Sequence, residues 1–189
     1  VFVEHEAGAV KDPTLAAVTL AGPARRRIQA VVDRRFNRRA FDAVAVMLLN
    51  SYRDPSLEVA VADLLRRDFT VNAMALRLPE RVFVDPFNGL KDLVDGIIRT
   101  PGKPEDSFSD DPLRMMRAAR FASQLEFAIE PATFEAMTAM AERIEIVSAE
   151  RIQVEFTKLM LGANPRLGLE ALVDSGLADR VLPELPALR

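Results

Sequence analysis

The sequence predicts an α+β chain, a mixed α/β lobe followed by an all-helical lobe. Three observations carry that prediction. Between residues 57 and 102, short apolar runs alternate with helix-like segments. After Pro104, prolines recur where the first turn of a helix accepts them, at Pro112, Pro131 and Pro165. Between the two patterns, Pro101-Gly102 punctuates the chain and puts a boundary near residue 103.

Residues 1–56 have no assignment. Val1–Glu6 is compatible with a short strand, and Arg26–Val32 and Ala40–Leu49 with helices. The apolar run Val44–Leu49 has no evident core to join, and Arg25–Arg39 disfavours compaction, so this segment is expected to be the least ordered. Tyr52-Arg53-Asp54-Pro55-Ser56 reads as a turn, because proline biases the residue before it away from helix.

Residues 57–102 hold the mixed lobe. Leu57–Ala75 is expected to begin helical, with Leu64, Leu65, Phe69, Val71 and Met74 as its apolar set. Ala75–Leu78 and Arg81–Val84 read as two strands joined by a tight connection at Pro79-Glu80. A short helix over Leu90–Val94 follows Asn88-Gly89, and a strand over Gly96–Thr100 ends at Pro101.

Residues 103–189 form the helical lobe, with helices expected at about 111–126, 131–144, 149–161 and 165–175. Ser148 is a suitable N-cap, and Gly162 and Gly176 are suitable stops.

Composition narrows the function classes. The chain has 189 residues, 49% hydrophobic and 28% charged, the balance of a globular protein. It contains no Cys and a single His, His5, which excludes disulfides and thiolate chemistry and leaves Ser-His-Asp chemistry little support. No run approaches the ~20 apolar residues of a membrane span, and the first residues have no leader-like pattern. Val1 in place of an initiator Met suggests that the chain starts partway through a longer protein. The cytoplasm is the expected compartment. A formal charge of −3 means that any nucleic-acid contact must come from local clusters. Two exist: the seven arginines 25, 26, 27, 34, 35, 38 and 39, and the trio Arg114, Arg117 and Arg120. A solvated face is the plainer explanation of the first.

On a helical wheel Arg114, Arg117, Arg120 and Gln124 share one face, opposite Met115, Ala118, Ala119, Ala122 and Leu125. Asp110 and Asp111 stand at its N-terminal end. A carboxylate acceptor beside a guanidinium fork can pair with the edge of a nucleobase, and further arginines can meet phosphates. The plainer alternative is an Asp before Pro that caps a helix, with Asp110 and Arg114 as a surface pair worth ~0.3–0.5 kcal/mol.

Four segments bear on that choice. Asp63-Leu64-Leu65-Arg66-Arg67-Asp68-Phe69-Thr70-Val71-Asn72-Ala73 resembles the RRDxxxNA signature of class II nucleotidyltransferases, a branch of the DNA polymerase β superfamily that includes CCA-adding enzymes and bacterial poly(A) polymerases. Asp85-Pro86-Phe87-Asn88-Gly89-Leu90-Lys91-Asp92-Leu93 resembles the DPxxGxxDL segment that joins the family's head to its neck. Asp110-Asp111-Pro112-Leu113-Arg114-Met115-Met116-Arg117-Ala118-Ala119-Arg120-Phe121-Ala122 resembles EDPLRxLRAxRFA, with Asp110 in place of Glu. Ser148–Met160 resembles the ERIxxEFxKLL helix that buttresses the neck.

Four such segments in family order make a strong resemblance, covering about residues 57–189. It implies an incomplete nucleotidyltransferase head at 57–102 and a helical neck at 103–189. Arg67, Asp68 and Asn72 would contact the sugar and phosphates of an incoming nucleotide. Asp111 and Arg114 would read CTP and then ATP in place of a template strand. Arg117 and Arg120 would hold triphosphate and position Arg114. The implied activity is addition of CCA to tRNA 3′ ends, with CTP and ATP as substrates and Mg2+ as cofactor.

One part of the family pattern is missing. No Asp-x-Asp pair, and no Gly-Gly-x-x-Arg-Asp turn, occurs anywhere in the sequence. Glu4-His5-Glu6 is the nearest substitute, and a solvated strand face explains it better. The chain is therefore expected to lack both its metal ligands and its catalytic residues, and to be inactive alone. An A-adding enzyme or poly(A) polymerase shares the same motifs. Outside the enzymes, a non-catalytic RNA- or nucleotide-binding module remains open, as does a helical scaffold with a solvated arginine face. The expected partners are the tRNA 3′ end, CTP and ATP, with no membrane and no protein partner.

Overall fold

The computed structural model describes residues 49–52, 57–77 and 82–185. The expectations for Val1–Glu6, the Arg25–Arg39 cluster, Arg26–Val32 and most of Ala40–Leu49 fall outside those residues, as does the expected disorder of the N-terminal segment. The chain divides into two compact units, residues 1–94 and 95–189.

The first unit is built on a three-stranded sheet in the order β1-β2-β3. Strand β1 (Leu49–Tyr52) runs parallel to β2 (Met74–Arg77), with Leu49 opposite Met74, and β2 pairs antiparallel with β3 (Val82–Val84). The β2–β3 pair matches the two strands expected from sequence. Strand β1 is not among the expected elements: only its ends fall in expected segments, Leu49 in a helix-compatible run and Tyr52 in a turn. A parallel partner 25 positions along the chain leaves no local signature.

Helix α1 (Leu57–Leu65) enters this sheet through its parallel crossover and stops in a tight turn, where the Arg66 and Arg67 amides return to the Asp63 and Leu64 carbonyls. One 3-10 turn, Thr70–Asn72, then leads into β2. Leu64, Ala73 and Ala75 are buried together against Val84 and Phe87, and Phe69, Val71, Met74 and Leu93 are also buried. Helix α2 (Gly89–Asp95) starts on an Asp85 carboxylate that accepts from the Gly89 and Leu90 amides at 2.7 and 3.0 Å.

The second unit is helical with one two-stranded ladder, β4 (Ile97–Ile98) parallel to β5 (Ala128–Ile129). Ile97 and Ile98 therefore belong with the helices through their pairing. Helix α3 (Pro104–Asp110) precedes α4 (Leu113–Leu125). Asp111 between them is extended, with φ −146° and ψ 98°, so the single helix expected from 111 begins two residues later. The segment expected as one helix over 131–144 is α5 (Pro131–Ala139) followed by a 3-10 stretch, Ala141–Ile146. Helices α6 (Ala149–Met160), α7 (Pro165–Asp174) and α8 (Ala178–Val181) complete the unit.

Helix α4 is the core element, packed by α6 and α7. Met115, Met116, Ala118, Ala119 and Phe121 are all nearly inaccessible. Small residues on α4 let α7 approach closely, and a Cβ at Gly168 would press on the Ala119 carbonyl oxygen and on Leu159. Among the described residues no helix is long and apolar enough to cross a membrane. The α+β class, with a small sheet in the first unit and helices in the second, is as expected.

Candidate functional site

In the first unit the Arg67-Asp68 pair and Asn72 sit on the turn between α1 and β2. Arg67 is half-buried, and its Nη2 donates to Asp63 Oδ2 at 2.9 Å, one helical turn back. Asp68 is buried at 4% exposure, and its Oδ1 accepts from the Phe69 amide and from Asn72 Nδ2, both at 3.0 Å. The structure therefore brings Asp68 and Asn72 into one hydrogen-bonded unit, with the Arg67 side chain directed back along the helix.

This turn is fastened from below by the Asp85–Leu93 segment. Thr70 Oγ1 donates to Asp92 Oδ2 at 2.7 Å, and both residues are buried. Gly89 lies so close that a Cβ there would overlap the Thr70 carbonyl oxygen. Asn88, with φ 57°, takes the left-handed conformation that an Asn accepts at modest cost. Asp85, Gly89 and Asp92 thus share one task, holding the turn that carries Asp68 and Asn72.

In the second unit Asp111 and Arg114 flank the start of α4. Asp111 Oδ1 accepts from the Leu113 amide at 3.2 Å, so the capping role is real. The same carboxylate also receives Arg151 Nη2 from α6, at 3.3 Å to Oδ1 and 3.1 Å to Oδ2. Arg114 Nη1 donates to Ser107 Oγ at 2.8 Å and to the Ser107 carbonyl at 3.3 Å. The Arg114 amide donates to the Asp111 carbonyl at 3.0 Å, joining the two residues through the backbone. Each is held by a different helix, α6 for the acid and α3 for the arginine. Asp110 is exposed at the end of α3.

The arginine face is not uniform, and here the wheel needs correction. Arg114 and Arg117 are half-buried, whereas Arg120 is buried at 7% exposure. Its Nε lies 3.0 Å from Glu155 Oε2, and its guanidinium sits 4.4 Å above the Phe121 ring. A charge in this position needs a counter-ion, and α6 supplies it. Lys158 Nζ reaches the other Glu155 oxygen at 3.3 Å.

The sequence quoted Arg151 and Glu155 inside a buttressing segment and gave neither a role. Their i,i+4 spacing puts both on one face of α6, the face that meets Asp111 and Arg120. Ser148 occupies the N-cap position of α6 but makes no side-chain cap bond. The Glu150 carboxyl lies below its ordinary range, chiefly through its own backbone amide and then through the Ser148 hydroxyl.

Residues 23–99 match the family described as the poly A polymerase head domain, and residues 126–188 match the family described as the probable RNA and SrmB-binding site of polymerase A. The CCA-adding enzyme of Ligilactobacillus salivarius (strain UCC118) is 50% identical over 115 residues, 61% of this chain and 28% of the relative. That of Streptococcus thermophilus (strain CNRZ 1066) is 48% identical over 139 residues, 71% of this chain and 33% of the relative. Among solved structures, the Bacillus stearothermophilus CCA-adding enzyme in complex with CTP is 42% identical with a TM-score of 0.60, over 62% of this chain and 30% of that one. The Thermotoga maritima CCA-adding enzyme complexed with tRNA is 33% identical with a TM-score of 0.61, over 66% and 31%. The chain thus spans about a third or less of the length of these relatives. Two family matches in chain order and relatives near 50% identity make this chain similar, over most of its length, to CCA-adding enzymes and to the poly A polymerase head and RNA-binding families.

Proposed function

We propose that this chain is the nucleotide-selecting part of a tRNA nucleotidyltransferase that adds CCA to tRNA 3′ ends from CTP and ATP. The observation that carries the proposal is the pair at the start of α4, an acceptor at Asp111 and a donor fork at Arg114, each held by its own neighbour. Cytosine and adenine both present an amino donor beside a ring-nitrogen acceptor. Uracil and guanine present the reverse, a keto acceptor beside a ring N–H. One acceptor–donor pair therefore accepts the first two bases and opposes the last two.

In this reading Arg67, Asp68 and Asn72 contact the sugar and phosphates of the nucleotide. The half-buried Arg117 meets phosphate. Arg120, spent on Glu155, acts chiefly by holding α4 against α6, a narrower part than the triphosphate contact implied by the family pattern. The close likeness to CCA-adding enzymes supports tRNA as the acceptor, which would place the protein in the cytoplasm. The matched families are named for poly(A) polymerase, and that observation keeps an A-adding enzyme as the second reading.

Nucleotidyl transfer in this family uses divalent metal, with Mg2+ as the proposed ion. The residues at hand do not fit it. No Asp-x-Asp occurs in the sequence, and no cluster of three or more candidate ligands exists among the described residues. No catalytic step is assigned to this chain for that reason.

The test is incorporation of labelled CTP and ATP into tRNA lacking its CCA end. The 189-residue chain alone is expected to incorporate neither. The same chain joined to the Asp-x-Asp portion of a relative's head is expected to add C, C and A. Addition of A alone by the joined protein would select the A-adding reading, and no addition with folded protein would reject both.

A further inference from the structure

The structure assigns to Arg151 a part in choosing the base: we propose that it is a specificity-determining positioning residue, which aims the Asp111 carboxylate so that amino bases are accepted and keto bases refused. The proposal rests on the base-reading role of Asp111 given above.

The geometry is specific. A carboxylate on a short side chain rotates freely about its last bond unless both oxygens are engaged. At Asp111 both are. Oδ1 takes the Leu113 amide at 3.2 Å and Arg151 at 3.3 Å, and Oδ2 takes Arg151 at 3.1 Å. Each carboxylate oxygen has about two lone-pair sites. By that count Oδ1 is filled, and Oδ2 keeps room for one more donor. Arg151 thus turns a symmetric carboxylate into one directed acceptor.

A directed acceptor discriminates in a way that a rotating one does not. Facing the amino group of cytosine or adenine, it gains a hydrogen bond. Facing the keto oxygen of uracil or guanine, it meets another acceptor with no means of turning away. Without Arg151 the carboxylate can swing aside, and the penalty against keto bases relaxes. The affinity for amino bases changes less, because Asp111 can still find their donor.

Arg151 suits this task for three reasons. It comes from α6, whereas Asp111 lies just before α4 and Arg114 lies on it, so it braces the reader from outside. One guanidinium nitrogen, Nη2, reaches both carboxylate oxygens, at 3.3 and 3.1 Å, so a single side chain engages the whole carboxylate. Its side chain is 55% exposed, so its removal should leave the fold standing.

The test is binding of CTP, ATP, UTP and GTP to the 189-residue chain and to its Arg151→Ala and Arg151→Lys variants, with thermal melting as a check on folding. The expected result is a CTP-to-UTP affinity ratio that falls about tenfold in Arg151→Ala, the worth of one mismatched polar contact. CTP affinity itself should move less than UTP affinity, and Arg151→Lys should recover part of the ratio. An unchanged ratio in folded Arg151→Ala overturns the proposal and leaves the base-reading role of Asp111 intact. Equal weakening toward all four nucleotides also overturns it, since that marks a phosphate contact. Absence of any preference in the unaltered chain would sink the base-reading role itself, and this proposal with it.

Discussion

Arg120 on α4 and Glu155 on α6 meet at 3.0 Å with each side chain only 9% exposed, so α4 is bound to α6 by a desolvated ion pair. Taking two charges out of water costs several kcal/mol per ion, and the pair is favourable only while both members are present.

Removing one member should therefore cost far more than removing both. Glu155→Ala is expected to lose about 3–5 kcal/mol, because Arg120 stays behind uncompensated. Arg120→Met with Glu155→Leu should fall within ~1–2 kcal/mol of the unaltered chain. Urea unfolding followed by circular dichroism measures both. A Glu155→Ala loss under about 1 kcal/mol would mean that water reaches the pair.

The turn bearing Asp68 and Asn72 makes a separate prediction. Gly89→Ala places a methyl against the Thr70 carbonyl oxygen, a backbone atom with little freedom to yield. The expected cost is about 1–3 kcal/mol or more. Asp85→Ala removes the acceptor for two amides of α2 and should cost about 0.5–2 kcal/mol. Amide exchange at Thr70–Asn72 should quicken in both variants, and unchanged exchange there would separate this segment from the turn.

Arg117 offers a control for specificity. In its proposed role as a phosphate contact it carries no base information, so Arg117→Ala should weaken binding of CTP, ATP, UTP and GTP by similar factors. A variant that loses one base selectively would move Arg117 from the phosphate to the base.

Much of this arrangement was legible in the sequence, and the rest was hidden for identifiable reasons. The strands at 74–77 and 82–84 and the helices at 149–160 and 165–174 follow from local pattern and punctuation. Strand β1 was hidden because its partner is distant in the chain. Asp111 and Arg114 stand out in the sequence through the resemblance to EDPLRxLRAxRFA. Their partners are not legible there, because Arg151 lies 40 residues from Asp111 and Ser107 lies on α3, a helix outside the four expected. The burial of Arg120 was beyond the wheel, which treats every position on one face alike. The neighbouring Glu155 shows that the face is buried at Arg120, while Gln124 beyond it is not. The Arg25–Arg39 cluster and Glu4-His5-Glu6 fall outside the described residues.

The central claim is that the start of α4 reads the base, and altered base preference tests it most directly. Binding of the four nucleoside triphosphates should be measured in this chain, and turnover on tRNA in the version joined to an Asp-x-Asp head. Asp111→Asn presents an amide that can still cap Leu113 but can also offer a donor to the base. Asp111→Asn and Arg114→Ala are both expected to lose discrimination of CTP and ATP against UTP and GTP. The loss should be about tenfold or more for an unmatched polar group in a dry site. Base preference unaltered in both variants, with Asp111→Ala only lowering the melting temperature, would contradict the account and leave an ordinary helix start.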